Sequence, residues 1–359
     1  MTTTVSCSEC GTEWEDRWRC TCGKPLDFST QPDPPATPPT FDVHAIDRGI
    51  WAFADFIPIT PRVSLGEGFT GEVHAPAWDV TFKLEYVSPT GSFKDRGAAA
   101  VVSRALDCGA TSIIEDSSGN AGAAIATYAA QAGIPAKIFV PASAKQAKRK
   151  AIERVGATLI PISGTRQDAT EACIEAVKQG EGWYASHAWN PAFLAGTATF
   201  AYEIAAQRAW SVPDAVVLPL GHGTLFLGAY RGFKALYEAG WTQRLPRLLG
   251  AQASGWSPIA DEFHETSSAS NSVADGIQIA EPVRKHHIFE AIEATNGDAI
   301  AITEEQTREA LDRLHRKGFS VEATSPVAVA ASGIYRERGV LSEDDDVVVA
   351  LSGSGLKLE

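Results

Sequence analysis

Between Val80 and Leu106 the chain changes character around one lysine. An apolar run, Val80 to Leu84, passes through Ser88-Pro89-Thr90-Gly91-Ser92-Phe93-Lys94-Asp95-Arg96-Gly97 into an Ala-rich helical pattern, Ala98 to Leu106. A strand therefore gives way to the first turn of a helix at Lys94. Its neighbours are Gly, Ser and Thr rather than a run of charge. A lysine held among small residues and partly desolvated can lose its proton, act as a nucleophile and condense with an aldehyde. Taken alone, Lys94-Asp95-Arg96 reads instead as an exposed helix start.

From Val63 onward, short apolar runs alternate with helical patterns. The runs Ser112–Glu115, Ala136–Val140, Thr158–Pro161, Ala215–Leu218, Leu248–Gln252, Ala299–Ile302 and Val347–Leu351 read as strands. The clearest helical patterns are Asn120–Ala132, Ala144–Val155, Thr224–Ala239, Thr303–Lys317 and Pro326–Arg338. Such alternation specifies a parallel sheet with helices on both faces. The Gly-rich turns fall at the C-terminal ends of strands, where open α/β sheets bind ligands.

Gly221-His222-Gly223-Thr224 follows one of these strands and opens a helix. Glycines let the backbone approach an anion, and the first amides of the helix donate to it. Without its setting the same motif is an ordinary tight turn. Ser117-Ser118-Gly119-Asn120 also joins a strand to a helix, so it serves equally as a helix cap or as a ligand loop. Ser352 ends the last strand, with Gly353 and Gly355 leaving room beside it.

The N-terminus carries four of the six cysteines, as Cys7-x-x-Cys10 and Cys20-x-Cys22. Residues Val5 to Phe28 are too few to bury a core, and four thiols in two close pairs can gather a tetrahedral zinc ion instead. Disulfides or a redox pair are the alternatives, the former disfavoured in a reducing compartment. Trp14 and Trp18 could cover the site. Cys108 and Cys173 stand alone in helical patterns and read as small buried hydrophobes. Ser29 to Thr40 contains five prolines and no apolar period, so it reads as an extended linker. Phe41 to Pro61 reads as an arm packed on the main body or on a second subunit.

The net charge of −13 argues against a nucleic-acid surface, which needs a basic patch, and against docking on anionic lipid. No apolar run approaches a membrane span, and Met1 to Ser6 has no signal-peptide character. A cytoplasmic protein is expected.

Six motifs occur in a fixed order: Leu65-Gly66-Glu67-Gly68, Ser88 to Gly97, Ser117 to Asn120, Gly221 to Thr224, Val273-Ala274-Asp275-Gly276-Ile277, and Ser352-Gly353-Ser354-Gly355-Leu356-Lys357. This ordered set resembles the threonine synthase and threonine dehydratase group of fold-type II pyridoxal-phosphate enzymes, relatives of the tryptophan synthase beta chain. Arg19 to Leu26 is similar to the zinc ribbon that precedes some threonine synthases.

The resemblance implies a two-lobed α/β fold with open parallel sheets and the cofactor between the lobes. A zinc ribbon (1–28) and a Pro-rich linker and arm (29–62) would precede a catalytic domain (63–359), whose smaller lobe, roughly 104–186, is inserted in the larger. Lys94 would carry pyridoxal 5'-phosphate and move the α-proton. Asn120 would bond the cofactor's phenolic oxygen. Gly221, His222, Gly223 and Thr224 would hold its phosphate, with His222 standing where relatives often carry Asn or Gly. Ser352 would face the pyridine nitrogen, and a hydroxyl there favours elimination and replacement over transamination. Thr90, Ser117, Ser118 and Gly119 would bind the amino-acid substrate. Glu322, Thr324 and Ser325 resemble a further pocket segment.

The expected reaction is O-phosphohomoserine plus water to threonine plus phosphate, in a homodimer. Dehydration of serine or threonine, or another β-replacement, is the alternative, because Ala121, Gly122, Ala123 and Ala124 replace hydroxyls that relatives carry. A scaffold without catalysis is a third reading. A phosphorylated substrate needs a second cationic pocket, for which Lys83, Arg96, Lys148 and Arg149 are candidates.

Overall fold

The computed structural model describes residues 3–358 apart from 33, 36, 42, 145 and 266–268, and leaves the side chains of 43–46, 148 and 358 undescribed. Three two-residue strands, Val5–Ser6 (β1), Glu13–Trp14 (β2) and Asp27–Phe28 (β3), pair antiparallel in the order β2-β1-β3. So small a sheet leans on the rest of the chain. Trp18 packs edge-on against Tyr184 and Trp189, at 5.2 and 5.4 Å between ring centres. Arg284 donates to the Leu26 carbonyl (2.6 Å) and to Asp27 (3.0 Å), and Arg104 donates to the Glu15 carbonyl. Trp18 thus docks the N-terminal segment onto the body.

The aromatic arm packs on the main body. Short 3-10 turns span Val43–Phe56, broken at Gly49. Trp51, Phe53 and Phe56 are buried, Phe53 stacks on Phe69, and the Trp51 indole donates to the Val63 carbonyl.

The body begins with Glu72–Ala75 (β4), Val80–Lys83 (β5) and Lys94–Asp107 (α1). Then come Ile113–Glu115 (β6), Asn120–Gln131 (α2), Ala136–Pro141 (β7), Gln146–Arg154 (α3), Thr158–Ile162 (β8), Arg166–Lys178 (α4) and Trp183–Tyr184 (β9). Pro191–Gln207 (α5), Ala215–Pro219 (β10), Thr224–Glu238 (α6) and Arg247–Ala253 (β11) follow. Lys285–Ala294 (α7), Asp298–Ile302 (β12), Glu304–Arg316 (α8), Ser325–Glu337 (α9) and Val347–Ala350 (β13) complete the chain.

The strands form a six-stranded sheet, β12-β11-β10-β13-β5-β4, and a four-stranded sheet, β8-β7-β6-β9. Every pairing is parallel except the edge pair β4–β5. All residues of β10 and β13 are buried, as central parallel strands covered on both faces must be. The α/β class expected from the alternation is therefore present. Helix α1 starts at Lys94, so that lysine is in the first turn, as the sequence reading expects.

Helices α4, α5 and α7 lay outside the clear sequence patterns. Helix α5 buries 14 of its 17 residues, so it shows no one-sided stripe. It packs between α1 and α6. A Cβ at Gly196 would lie 2.1 Å from the Arg96 carbonyl oxygen, so only glycine permits this approach of α5 to α1. Cys173 is buried as expected, whereas Cys108, at the end of α1, is half-buried. Among the described residues no helix is long and apolar enough to cross a membrane.

Candidate active site

The C-terminal ends of strands from both sheets open onto one cavity of about 220 Å³. Of the residues named from sequence, Lys94, Ser117, Ser118, Gly119, Asn120, Gly221, His222, Gly223, Thr224 and Ser352 all line it. They arrive from four strand-to-helix or strand-to-turn junctions.

Lys94 projects from the first residue of α1. Its Nζ lies 3.2 Å from Thr224 Oγ1, and 4.5 and 5.5 Å from the ring centres of Phe93 and Phe193. Burial lowers its pKa to about 7, Arg166 adds to this, and Glu115 and Glu322 oppose it. Desolvation outweighs the aromatic faces, which favour the charged form. The amine is thus neutral in a large fraction of molecules near pH 7.

Gly221 to Thr224 form the entry to α6. Gly223 has φ +78°, and a Cβ there would meet Ile288 at 2.6 Å. No side chain caps α6, so its first amides remain for an anion. His222 Nδ1 is buried without a partner. Burial, with Arg166 and Lys94 beside it, holds this imidazole down to about 3 and hence neutral. Ser352 Oγ sits 3.2 Å from Ser325 Oγ. Asn120 Nδ2 donates to Glu322 Oε1 at 2.8 Å.

These residues fit pyridoxal 5'-phosphate. They offer an amine of low basicity for its aldehyde, an uncapped helix start with two glycines for its phosphate, an unpartnered imidazole nitrogen beside that start, and a hydroxyl for its ring nitrogen.

Thr90 does not line the cavity. Its N–H and Oγ1 both donate to Asp95 Oδ2, at 3.1 and 2.9 Å. Asp95 is fully buried, and burial raises its pKa to about 7. The cations named from sequence are elsewhere. Lys83 and Arg96 are enclosed in an ion network: Lys83 bonds Glu203 (2.5 Å), and Arg96 bonds Glu85 (2.7 Å) and Glu203 (2.9 Å), all four fully buried. Arg149 does not line the cavity, and the side chain of Lys148 lies outside the described residues.

A cation at the cavity besides Lys94 is Arg166, the first residue of α4, an exposed side chain with no ion-pair partner among the described residues. A positive charge there opposes the helix dipole, so its own helix gains nothing from it. Sequence reasoning also passed over His187 and Glu115. The His187 ring lines the cavity, and its Nδ1 is 2.7 Å from Glu115 Oε1. The available signal was Ile113-Ile114-Glu115, an acid ending an apolar strand that is bound to be buried.

At the N-terminal segment the four thiols converge. Cys7 and Cys22 Sγ are 3.6 Å apart, Cys10 and Cys20 Sγ 3.5 Å, and all four sulfurs lie within 4.8 Å of one another.

Residues 63–353 match the family model described as pyridoxal-phosphate dependent enzyme. The chain is 34% identical to a threonine synthase of Methanosarcina acetivorans over 86% of its own length and 80% of that protein's. It is 30% identical to a threonine synthase of Mycobacterium tuberculosis over 89% and 91%. Among solved structures, maize serine racemase matches with a TM-score of 0.69 at 21% identity, over 80% of this chain and 88% of that one. A threonine deaminase from Solanum lycopersicum matches at 0.67 and 20% identity, over 89% and 86%. A cavity that suits this cofactor, on a fold shared with these proteins and under a match spanning most of the chain, places the chain in the pyridoxal-phosphate dependent enzyme family.

Proposed function

We propose that this enzyme is a carbon–oxygen lyase of the threonine synthase kind, which converts O-phosphohomoserine and water to threonine and phosphate. The cofactor, held by Lys94, Asn120, Gly221 to Thr224 and Ser352, supplies an electron-withdrawing ring that delocalises the charge left at the α-carbon. Ser117, Ser118 and Gly119 hold the substrate carboxylate. The Lys94 amine removes the α-proton and returns a proton later. Thr90 acts through Asp95, by fixing the turn that leads into α1.

The observation that carries the choice of substrate is Arg166. It is a cationic side chain at the same cavity, carried by α4 rather than by the cradle at α6, and a substrate with both a carboxylate and a phosphate requires one. With O-phosphohomoserine supplied, phosphate and threonine should appear in equal amounts. Arg166→Ala should raise KM about 10- to 100-fold, the worth of one or two charged hydrogen bonds. Ala121, which lines the cavity without a hydroxyl, favours a second reading, dehydration of serine or threonine. A keto acid and ammonia from either, with no phosphate released from O-phosphohomoserine, would replace the first reading with the second.

The N-terminal thiols bind one structural zinc ion in this reading. Tetrahedral zinc–thiolate bonds of about 2.3 Å require sulfurs about 3.8 Å apart, and the Cys7–Cys22 and Cys10–Cys20 spacings of 3.6 and 3.5 Å are close to that. Metal analysis of protein purified without chelator should find one zinc per chain. Its absence would count against the site, as would a large fall in turnover when a still-folded protein loses residues 1–28. The reading also divides the chain into ribbon (1–28), linker and arm (29–62) and catalytic domain (63–359), with a smaller lobe at roughly 104–186. It makes the enzyme a cytoplasmic homodimer.

A further inference from the structure

The proposed reaction breaks a carbon–oxygen bond; a departing hydroxyl needs a proton donor, and a departing phosphate, already stable as an anion, is assisted by one. Glu115 closes β6 and is fully buried. Its Oε1 is 2.7 Å from His187 Nδ1, and its Oε2 is buried without a well-formed hydrogen bond. His187 is 8% exposed and lines the cavity that holds Lys94 and Arg166. Its ring is held edge-on by Phe193 at 6.0 Å and His222 at 5.4 Å. With Nδ1 committed to Glu115, Nε2 is the nitrogen left for a ligand.

We infer that Glu115 and His187 form a proton-donating dyad for the leaving-group oxygen, with His187 the residue that touches the substrate and Glu115 the residue that acts through it. The inference rests on the lyase reading above, and the dyad matters most where the leaving oxygen is a hydroxyl.

An ionised Glu115 would leave a buried charged oxygen without a well-formed hydrogen bond, which is costly, whereas a neutral carboxyl loses less; the backbone N–H groups of His187 and Asp116 favour the charged form, and burial outweighs them. Burial, with Asp116 adding to it, holds Glu115 well above the usual carboxylate range. Asp116 itself is bound by Thr170 and Tyr184. Burial, with Lys94, His222 and Arg166 around it, holds His187 well below the usual imidazole range. Lys94 acts on both members. It favours an ionised Glu115 but disfavours a charged His187. The pair therefore rests with the proton on Glu115, the imidazole neutral, and Nε2–H directed to the cavity.

In the step itself, Nε2 gives its proton to the oxygen as the carbon–oxygen bond breaks and the oxygen keeps the bonding pair. The Glu115 proton moves to Nδ1. Glu115 is left as a carboxylate accepting from Nδ1–H, and a proton from solvent restores the pair.

The test uses the cofactor-loaded enzyme and the variants His187→Asn, Glu115→Gln and the double variant. Leaving-group release should fall in each single variant, about 10²- to 10⁴-fold where a hydroxyl leaves and less where phosphate does, and no further in the double. Exchange of the substrate α-proton with heavy water, which Lys94 performs, should continue at the wild-type rate. The infrared difference between wild type and Glu115→Gln at neutral pH should show a protonated carboxyl, in cofactor-free protein as well. Unchanged release, exchange and release falling together, or no protonated carboxyl would each overturn the dyad. If Glu115→Gln does not fold, the split between exchange and release in His187→Asn decides. If wild type releases no phosphate from O-phosphohomoserine but deaminates serine, the substrate reading fails and the same split is measured on serine.

Discussion

Lys94→Ala should fold and turn over no amino acid. In the proposed function this one amine would hold the cofactor and move the α-proton, so every later step depends on it. The variant should lack the visible chromophore of lysine-bound cofactor, and borohydride should fix no cofactor to the chain. An unchanged visible spectrum would remove the assignment.

Stability has a definite sign in the same experiment. Burial lowers the Lys94 pKa to about 7 from 10.5, so between those values the unfolded chain binds a proton that the folded chain does not. This group therefore makes stability rise with pH through that window, and its burial is most costly below pH 7. Alanine removes the cost. Compared as cofactor-free proteins, Lys94→Ala should be the more stable at pH 6, and its advantage should shrink as pH rises from 7 toward 10. The rate of cofactor uptake by wild type should level off above about pH 7 rather than climb to 10. An advantage independent of pH would mean that the amine is solvated.

Arg96→Ala should cost about 3–5 kcal/mol, the usual consequence of leaving a buried charge without its partner. Arg96 forms a two-pronged contact with Glu85, at 2.7 Å to each oxygen, and a 2.9 Å contact with Glu203. Burial alone would raise Glu203, but Arg96 and Lys83 overcome it and hold this carboxyl at about 2. A depressed carboxyl contributes stability that is present above its unfolded pKa, near 4.5, and lost as pH falls from there toward 2. Without Arg96 the acid-sensitive range should move upward. Arg96→Lys should fall between, since it keeps charge but not the planar fork. Urea unfolding at pH 7 and pH 4 measures both effects. A loss under 1 kcal/mol would mean that water reaches the network. Because Arg96 is in the same first turn as Lys94, the variant should also load cofactor less well.

Much of the site was legible because its parts are local. Lys94, Ser117 to Asn120 and Gly221 to Thr224 each sit where a strand or extended run ends and a helix begins, and the small residues needed at such a junction are contiguous in sequence. The apolar runs of β10 and β13 announced buried parallel strands for the same reason. Helix α5 was not legible, because a helix buried on all sides has no polar face to set a period.

The sequence alone determined which strand-to-helix junctions exist and which reactive groups they carry. Only the tertiary structure decided which charges are free. Lys83 and Arg96 are cations in the sequence, but residues more than a hundred positions away enclose them in ion pairs. Arg166, His187 and Glu115 come from three separate segments, and no spacing links them. The chemistry of His187 and Glu115 depends on burial and on a 2.7 Å contact between groups far apart in the chain, and the place of Arg166 at the cavity on how α4 packs; those are properties of packing.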